Sequence, residues 1–361
     1  MTASGRSSPL LDAHRRLEAR LTDFAGWEMP LHYQGVVAEH NAVRTGVGVF
    51  DVSHLGKLRV RGDAAESALQ IALTADVAAL APGEAGYSLV LTDDGGCVDD
   101  VFAYRIDEQE WLIVPNAANV EAVGDAITQS GSPVADEWDR WAILAVQGPA
   151  SVTTFERVFP ESGATALKLH SFSEIDVFGD RGLVARTGYT GERGFELYAP
   201  AATATRAFER LLEAGAMPVG LGARDTLRLE MGYALYGNEL TTDINPLEAN
   251  LSWTLAWDTD FRGRDALAAI RDRGPARRAF AVRCTGRGVP RRSQPVVRDG
   301  RRVGELTSGN YSPTLKTGIG LGLGPAPDQP RPGDRVAIEA RGRAIEGAIV
   351  KPPFVSRSGG S

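Results

Sequence analysis

Two adjacent carboxylates, Asp99 and Asp100 in GGCVDDVFAY (residues 95–104), stand where a glycine turn gives way to an apolar, aromatic run. Side chains alternate across an extended strand, so such neighbours point to opposite faces and cannot serve one pocket as an acid–base dyad. Asp100, Phe102 and Tyr104 share a polar, aromatic face suited to a pocket wall, while Asp99, Val101 and Ala103 share the smaller, drier one. Taken alone, a pair of this kind is commonly a turn cap. FDVSH (50–54) sets Asp51, Ser53 and His54 close together, but contiguous residues diverge where a nucleophile triad must converge, and no G-x-S-x-G elbow occurs. His32, His40 and His54 lack metal-ligand spacing.

Two glycine loops invite comparison with phosphate cradles. GYTGERG (188–194) lies between two strands, whereas an anion loop must lead into a helix. VGLGARD (219–225) does open a helix but lacks the third glycine of a dinucleotide fingerprint. On that helix Arg224 and Arg228 are spaced i, i+4 on one face, where they can hold a carboxylate or stand in solvent.

The elements that must position these groups follow from periodicity. VVAEHNAVRTGVG (36–48), AAESALQIAL (64–73), TATRAFERLLEAG and RDALAAIRDRG read as helices, the first and third stopped by glycine. VFDVSHLGKLRVRG alternates like a strand. GYSLVLTDDGGCVDDVFAYRI reads as two strands joined by an Asp-Asp-Gly-Gly turn. WLIVPNAANVEAVGDAI and WAILAVQGPASVTTFERVF each read as a strand running into a helix, and GLVARTGYTGERGFELYAP as two short strands around a turn. Beyond Trp257 and the RDALAAIRDRG helix, short runs broken by Gly, Pro and Asp predict an all-β domain.

The chain has 361 residues, enough for two or three domains, with 43% hydrophobic and 24% charged residues, the balance of a globular protein. No apolar run is long enough to span a bilayer, and the N-terminus lacks the apolar core of a secretory signal, so the mature protein is expected to start here. Two cysteines, Cys97 and Cys284, exclude a disulfide framework and point to a reducing cytoplasm. A net charge of -7 argues against nucleic acid as the main partner. The stretch from Arg262 to Arg302 nevertheless carries 13 arginines, no lysine and three aspartates, a formal +10 that leaves -17 elsewhere. Such asymmetry fits either a docking surface for an anionic partner or a solvated arginine-rich linker.

In chain order, FAGWEMPLHY, FDVSHLGKLRV, GYSLVLTDDGGCVDD, NAAN, AVQGP, RTGYTGERGFEL, GLGARDTLRLEMGYALYGNEL, LSWTL and TSGNYSPTL closely resemble the aminomethyltransferase family, the T-proteins of the glycine cleavage system. The resemblance runs from about residue 10 to PPFV at 352–355. It implies an α+β fold with mixed and antiparallel sheets: a three-domain ring around a central folate channel. The first domain would comprise 1–56 and 142–257, the inserted second 57–141, and a β-barrel-like third 258–361. It further implies transfer of an aminomethyl group from the lipoyl arm of H-protein to tetrahydrofolate, an acceptor substrate, by a cytoplasmic monomer needing no metal, nucleic acid or membrane.

Residue by residue, the resemblance assigns the essential aspartate to Asp100, in agreement with the alternation above, and leaves Asp99 as a capping neighbour. It assigns folate contacts to Tyr87, Tyr104, Asn116, Tyr189, Glu196 and Arg224, with Glu196 reading the pterin through its two acceptor oxygens. Glu192 is then a bystander and Arg228 a support. Three positions depart from the family pattern: Leu55 where Met is usual, Pro115 where a β-branched residue is usual, and a tail after Val355 (SRSGGS) without an aromatic. Two other roles fit the same folate residues: a tetrahydrofolate-dependent demethylase acting on a free small molecule, and a folate-binding iron–sulfur assembly factor. The second is disfavoured because GYTGERGFE contains no cysteine.

Overall fold

The computed structural model describes residues 5–340 and 342–356. Among the described residues, four β-structures carry the fold. A small sheet orders Arg6–Ser7, Trp27–His32 and Arg20–Phe24. A six-stranded sheet runs Phe172–Val177, Asp180–Ala185, Gly194–Pro200, Trp141–Gln147, Gly48–Asp51 and Met217–Val219. Its strand pairs are antiparallel except for Met217–Val219, which lies parallel to Gly48–Asp51. A five-stranded antiparallel sheet orders Ala85–Leu91, Cys97–Asp107, Glu110–Val114, Leu58–Arg61 and Val134–Asp136. The last is a closed six-stranded barrel of Arg277–Cys284, Thr317–Pro325, Arg301–Ser312, Pro295–Arg298, Arg335–Ala340 and Arg343–Val350. Helices cover the first two large sheets, so the fold is α+β with a C-terminal barrel, as expected.

Each sheet buries its own apolar face. Leu144, Val146, Phe155, Phe195 and Phe208 close the core between the six-stranded sheet and the helices Ser151–Val158 and Ala201–Glu213. Leu58, Val60, Leu69, Trp111 and Ile127 do so for the five-stranded sheet and the helices Ala65–Ala72 and Val120–Gln129. Burying large side chains of this kind stabilises by roughly 1.5–3 kcal/mol each. The barrel interior holds Val282, Val296, Leu306 and Ile338.

VFDVSHLGKLRVRG does not form one strand. It leaves the six-stranded sheet after Asp51, turns, and enters the five-stranded sheet at Leu58. The turn is local chemistry: the Asp51 Oδ1 accepts the Ser53 N–H at 2.9 Å, a side-chain turn that alternation cannot anticipate. Gly56 then passes where a Cβ would lie 2.5 Å from the Val120 side chain and 2.7 Å from that of Pro115.

The hairpin bearing the two aspartates is anchored at its start. A Cβ on Gly96 would sit 1.8 Å from the Thr242 carbonyl oxygen, and the Cys97 N–H donates to the Thr241 carbonyl at 3.0 Å. Extended structure therefore begins before Asp99, and Leu89 pairs with Asp100 while Tyr87 pairs with Phe102.

Candidate functional site

A cavity of about 700 Å³ lies between the two large sheets and the barrel. Tyr87, Asp100, Tyr104, Asn116, Tyr189, Glu196 and Arg224 all line it, so every site residue expected from the sequence borders one space. Strand alternation brings Asp100, Phe102 and Tyr104 to this wall from Cys97–Asp107; Glu196 comes from Gly194–Pro200 and Arg224 from the helix Leu221–Met231. The barrel supplies Phe280, Ala281, Leu321, Ile349 and Val350. The volume falls within the roughly 300–1,000 Å³ of sites for small organic ligands.

Asp100 is half-buried. Its Oδ2 accepts from the Tyr87 hydroxyl at 3.1 Å and its Oδ1 from the Asn116 amide at 2.9 Å. Burial raises its affinity for a proton above that of an ordinary carboxylate, against the opposing hydrogen bonds. Burial, then the nearby Asp100 charge, likewise pushes the Tyr87 hydroxyl well up. The Tyr87 ring stacks on Trp253 at 5.7 Å, and Trp253 is 68% exposed at the cavity edge.

Glu196, 8% exposed, accepts a hydrogen bond from the Thr187 hydroxyl on Oε2. Among the described residues no donor reaches its Oε1. Burial raises its pKa, with Thr187 and Arg224 opposing. The Arg224 guanidinium lies 4.9 Å over the Tyr189 ring, and its buried Nη1 has no partner among the described residues. Burial depresses its pKa while Glu196 acts the other way. The Tyr189 hydroxyl donates to the Ala234 carbonyl, and its ring stacks on Tyr233 at 5.7 Å. Tyr104 presents only its ring: its hydroxyl accepts from Tyr198 at 2.9 Å and lies 3.4 Å from Thr187. A carboxylate and an unpaired guanidinium, set among aromatic faces, suit a flat heterocycle bearing both donors and acceptors.

One reading of the sequence needs correction. Asp99 caps no turn. It is fully buried and accepts from Asn116 N–H and Nδ2, both at 2.8 Å, and from Asn119 Nδ2 at 2.7 Å. Asn116 thus touches both carboxylates, although they face opposite ways. Neither Arg224 nor Arg228 stands in solvent, and Arg228 does hold carboxylates. Arg228 is 1% exposed and is consumed by Asp225, Glu239, Ser308 and the Tyr233 carbonyl. Glu192 pairs with Arg44 at 2.8 Å. Pro115 ends its strand without displacing Asn116, and Leu55 lines the cavity. Residues 357–361 of the tail lie outside the described residues.

The FDVSH side chains diverge. Asp51 holds His14 at 2.8 Å and the Ser8 hydroxyl, Ser53 accepts the Ile143 N–H at 3.1 Å, and His54 faces the cavity. Burial, then the charge of Arg224, drives the His54 pKa down to about 3, so the ring is neutral there. His40 lies elsewhere, between Thr226 and Thr314. No cluster of three or more His, Cys, Asp or Glu among the described residues could hold a metal ion. Sequence reasoning passed over His54 and Trp253 as cavity residues. Trp253 sits in LSWTL, where an aromatic between short polar residues was the available signal.

Comparison with known proteins decides the family. The family model for the GCVT N-terminal domain matches residues 10–259, and that for the glycine cleavage T-protein C-terminal barrel domain matches 277–356. The chain belongs to the glycine cleavage T-protein family. Aminomethyltransferases of this family from Halothermothrix orenii and Rubrobacter xylanophilus are 41% and 46% identical to it, over 97% and 98% of this chain and 100% and 95% of their own. A crystal structure of glycine cleavage system aminomethyltransferase T from Bartonella henselae superimposes with a TM-score of 0.91 at 31% identity, covering 98% of this chain and 99% of that one. The α+β fold with its closed barrel is therefore the T-protein fold, and the chain is an enzyme of the aminomethyltransferase family.

Proposed function

We propose that the chain transfers the aminomethyl carbon of lipoylated H-protein to tetrahydrofolate, yielding 5,10-methylenetetrahydrofolate, ammonia and dihydrolipoyl H-protein. It does so as a cytoplasmic monomer without a metal. The observation that carries this reading is the convergence of Asp100, Glu196 and Arg224 on one aromatic-walled cavity. Glu196 Oε1, lacking a protein donor, suits the paired N–H groups of an aminopyrimidine ring, and two such bonds to a carboxylate fix orientation. Arg224, unpaired at Nη1 and stacked on Tyr189, offers donors to the ring's acceptors or to an anionic tail. Tyr87, Tyr104 and Tyr189 wall the ring, and Asn116 holds Asp100 in place.

Asp100 is the catalytic carboxylate of this reading. Held beside the reacting ring nitrogen, it takes the proton that nitrogen must lose and, as an anion, stabilises the positive carbon–nitrogen unit formed when the thiol departs. The division into domains 1–56 with 142–257, 57–141 and 258–361 belongs to the same proposal. Incubating the protein with tetrahydrofolate and aminomethylated H-protein tests it. Folate-dependent ammonia release is the expected result. Release of formaldehyde equivalents from a free methylated amine, with none from H-protein, would overturn it in favour of a demethylase.

A further inference from the structure

We propose that Asp99 is a positioning residue: held as a fixed anion by Asn116 and Asn119, it keeps one proton on its neighbour Asp100, where the Tyr87 oxygen accepts it. The inference rests on the reading of Asp100 as the carboxylate of the transfer site and supplies the group that sets its protonation.

The argument begins with what each carboxyl group touches. Three N–H groups reach Asp99: two from Asn116 and one from Asn119, at 2.7–2.8 Å. One is a backbone N–H, which donates and cannot accept. A proton on Asp99 would weaken the bonds these donors make to the anion and would face three N–H groups, none of which accepts it. Asp100 differs. Its Oδ2 meets the Tyr87 hydroxyl at 3.1 Å, a group that donates to a carboxylate and accepts equally well from a carboxylic acid. The shared Asn116 amide couples the two through Asp99 Oδ1 and Asp100 Oδ1.

Among the described residues no cation bears on either carboxyl. Burial raises the pKa of both against the opposing Asn116, Asn119 and Tyr87 hydrogen bonds, and the Asp100 charge pushes Asp99 further, to about 8. Of the remaining titratable groups nearby, the Cys97 thiol on the same strand is pushed up by burial and stays neutral. Burial, then the Asp99 charge, raises the Tyr236 hydroxyl, and burial raises that of Tyr189, with Arg228 opposing and Asp100 adding to it. Two like charges in a buried, cation-free site cannot both ionise at neutral pH, so the pair titrates as a unit and carries one proton. Charge alone would leave that proton on Asp99, but its three N–H donors, one of them fixed in the backbone, favour the anion there and put the proton on the cavity side. The Asp100 midpoint is thereby raised toward neutral pH, so the group sheds this proton to solvent at little cost and enters the transfer step as the anionic base.

Carbon-13 NMR of the full ligand-free chain, labelled at the aspartate carboxyls, tests this. The Asp100 resonance is the one absent from Asp100→Asn. In the wild type it should keep its proton to well above the ordinary aspartate midpoint of about 3.9, while Asp99 remains a carboxylate. In Asp99→Asn the Asp100 midpoint should fall by roughly one pH unit or more, and the acid limb of kcat against pH should move with it. If Asp99→Asn fails to fold, the wild-type and Asp100→Asn spectra decide alone. A proton retained on Asp99, an ordinary Asp100 midpoint in the wild type, or an Asp99→Asn variant slowed equally at every pH would overturn the inference. Spectra as expected from a protein that releases no ammonia would support the proton assignment while overturning the transferase reading.

Discussion

Asp100 and Glu196 both border the cavity, and the proposed transfer gives them different work there. Asp100→Asn retains a side chain that can donate toward Tyr87, so it resembles the protonated acid and should leave folate binding within a few-fold of the wild type. Transfer should fall by roughly 10²–10⁴-fold, since the exchangeable proton is lost. Glu196→Gln replaces one acceptor by a donor facing donors. Folate affinity should drop by roughly ten- to a hundred-fold, the equivalent of one charged hydrogen bond. Isothermal titration with tetrahydrofolate beside steady-state kinetics separates the two. Similar losses of binding from both variants would refute this division of roles.

At the level of elements, the hairpin from Ala85–Leu91 to Cys97–Asp107 is held in part by the close approach of Gly96 to the Thr242 carbonyl. Gly96→Ala must push the backbone apart, and overpacking of this kind costs about 1–3 kcal/mol. Because the shift falls three residues before Asp99, kcat should fall together with the melting temperature, as a thermal melt and a rate assay would show. A variant with unchanged stability and rate would contradict the anchoring role. Alternation along this strand made Asp100, Phe102 and Tyr104 legible as a wall, because period-two geometry is local to the chain. The part played by Asp99 was hidden, since its donors Asn116 and Asn119 arrive from another segment and no local pattern links them. The same limit made VFDVSHLGKLRVRG read as one strand: its break depends on an aspartate folding back on Ser53. The all-β character of the C-terminal part was legible from its short runs, but closure into a barrel was implied only by the family resemblance, and which strands pair in it was not legible.

For the whole molecule, Glu230 ties the helix Leu221–Met231 to the helix Val36–Thr45 and to the barrel. It meets Arg44 at 2.8 Å, His40 at 3.3 Å and the Thr314 hydroxyl at 2.9 Å. Burial pushes its carboxyl up, but His40, Ser312 and Arg44 outweigh that and hold it at about 2. Its folded pKa lies below the unfolded value of about 4.3. The resulting stability is thus complete above that pH and is lost as pH falls through about 2. Urea denaturation should find Glu230→Gln less stable by roughly 2–3 kcal/mol at pH 7, a gap that narrows below pH 4. A gap independent of pH would contradict this. Charge acts at the same scale. Arg273, Arg278, Arg283, Arg287 and Arg301 are exposed in the basic stretch, so binding of an acidic lipoyl protein should weaken from 50 to 300 mM salt. Salt-independent binding would argue against docking there.

The cavity wall includes Lys351 and Pro352, and Phe354 donates its N–H to the Glu230 carbonyl at 2.8 Å. Pro352 also fills the space beside Gly232, where a Cβ would come within 2.6 Å of it. A chain cut after residue 340 would keep every polar group assigned to folate, together with the Phe280, Leu321 and Pro330 part of the wall, but would lose the strip from Ile349 to Pro352. Such a truncation should loosen the ligand's enclosure while sparing its polar recognition.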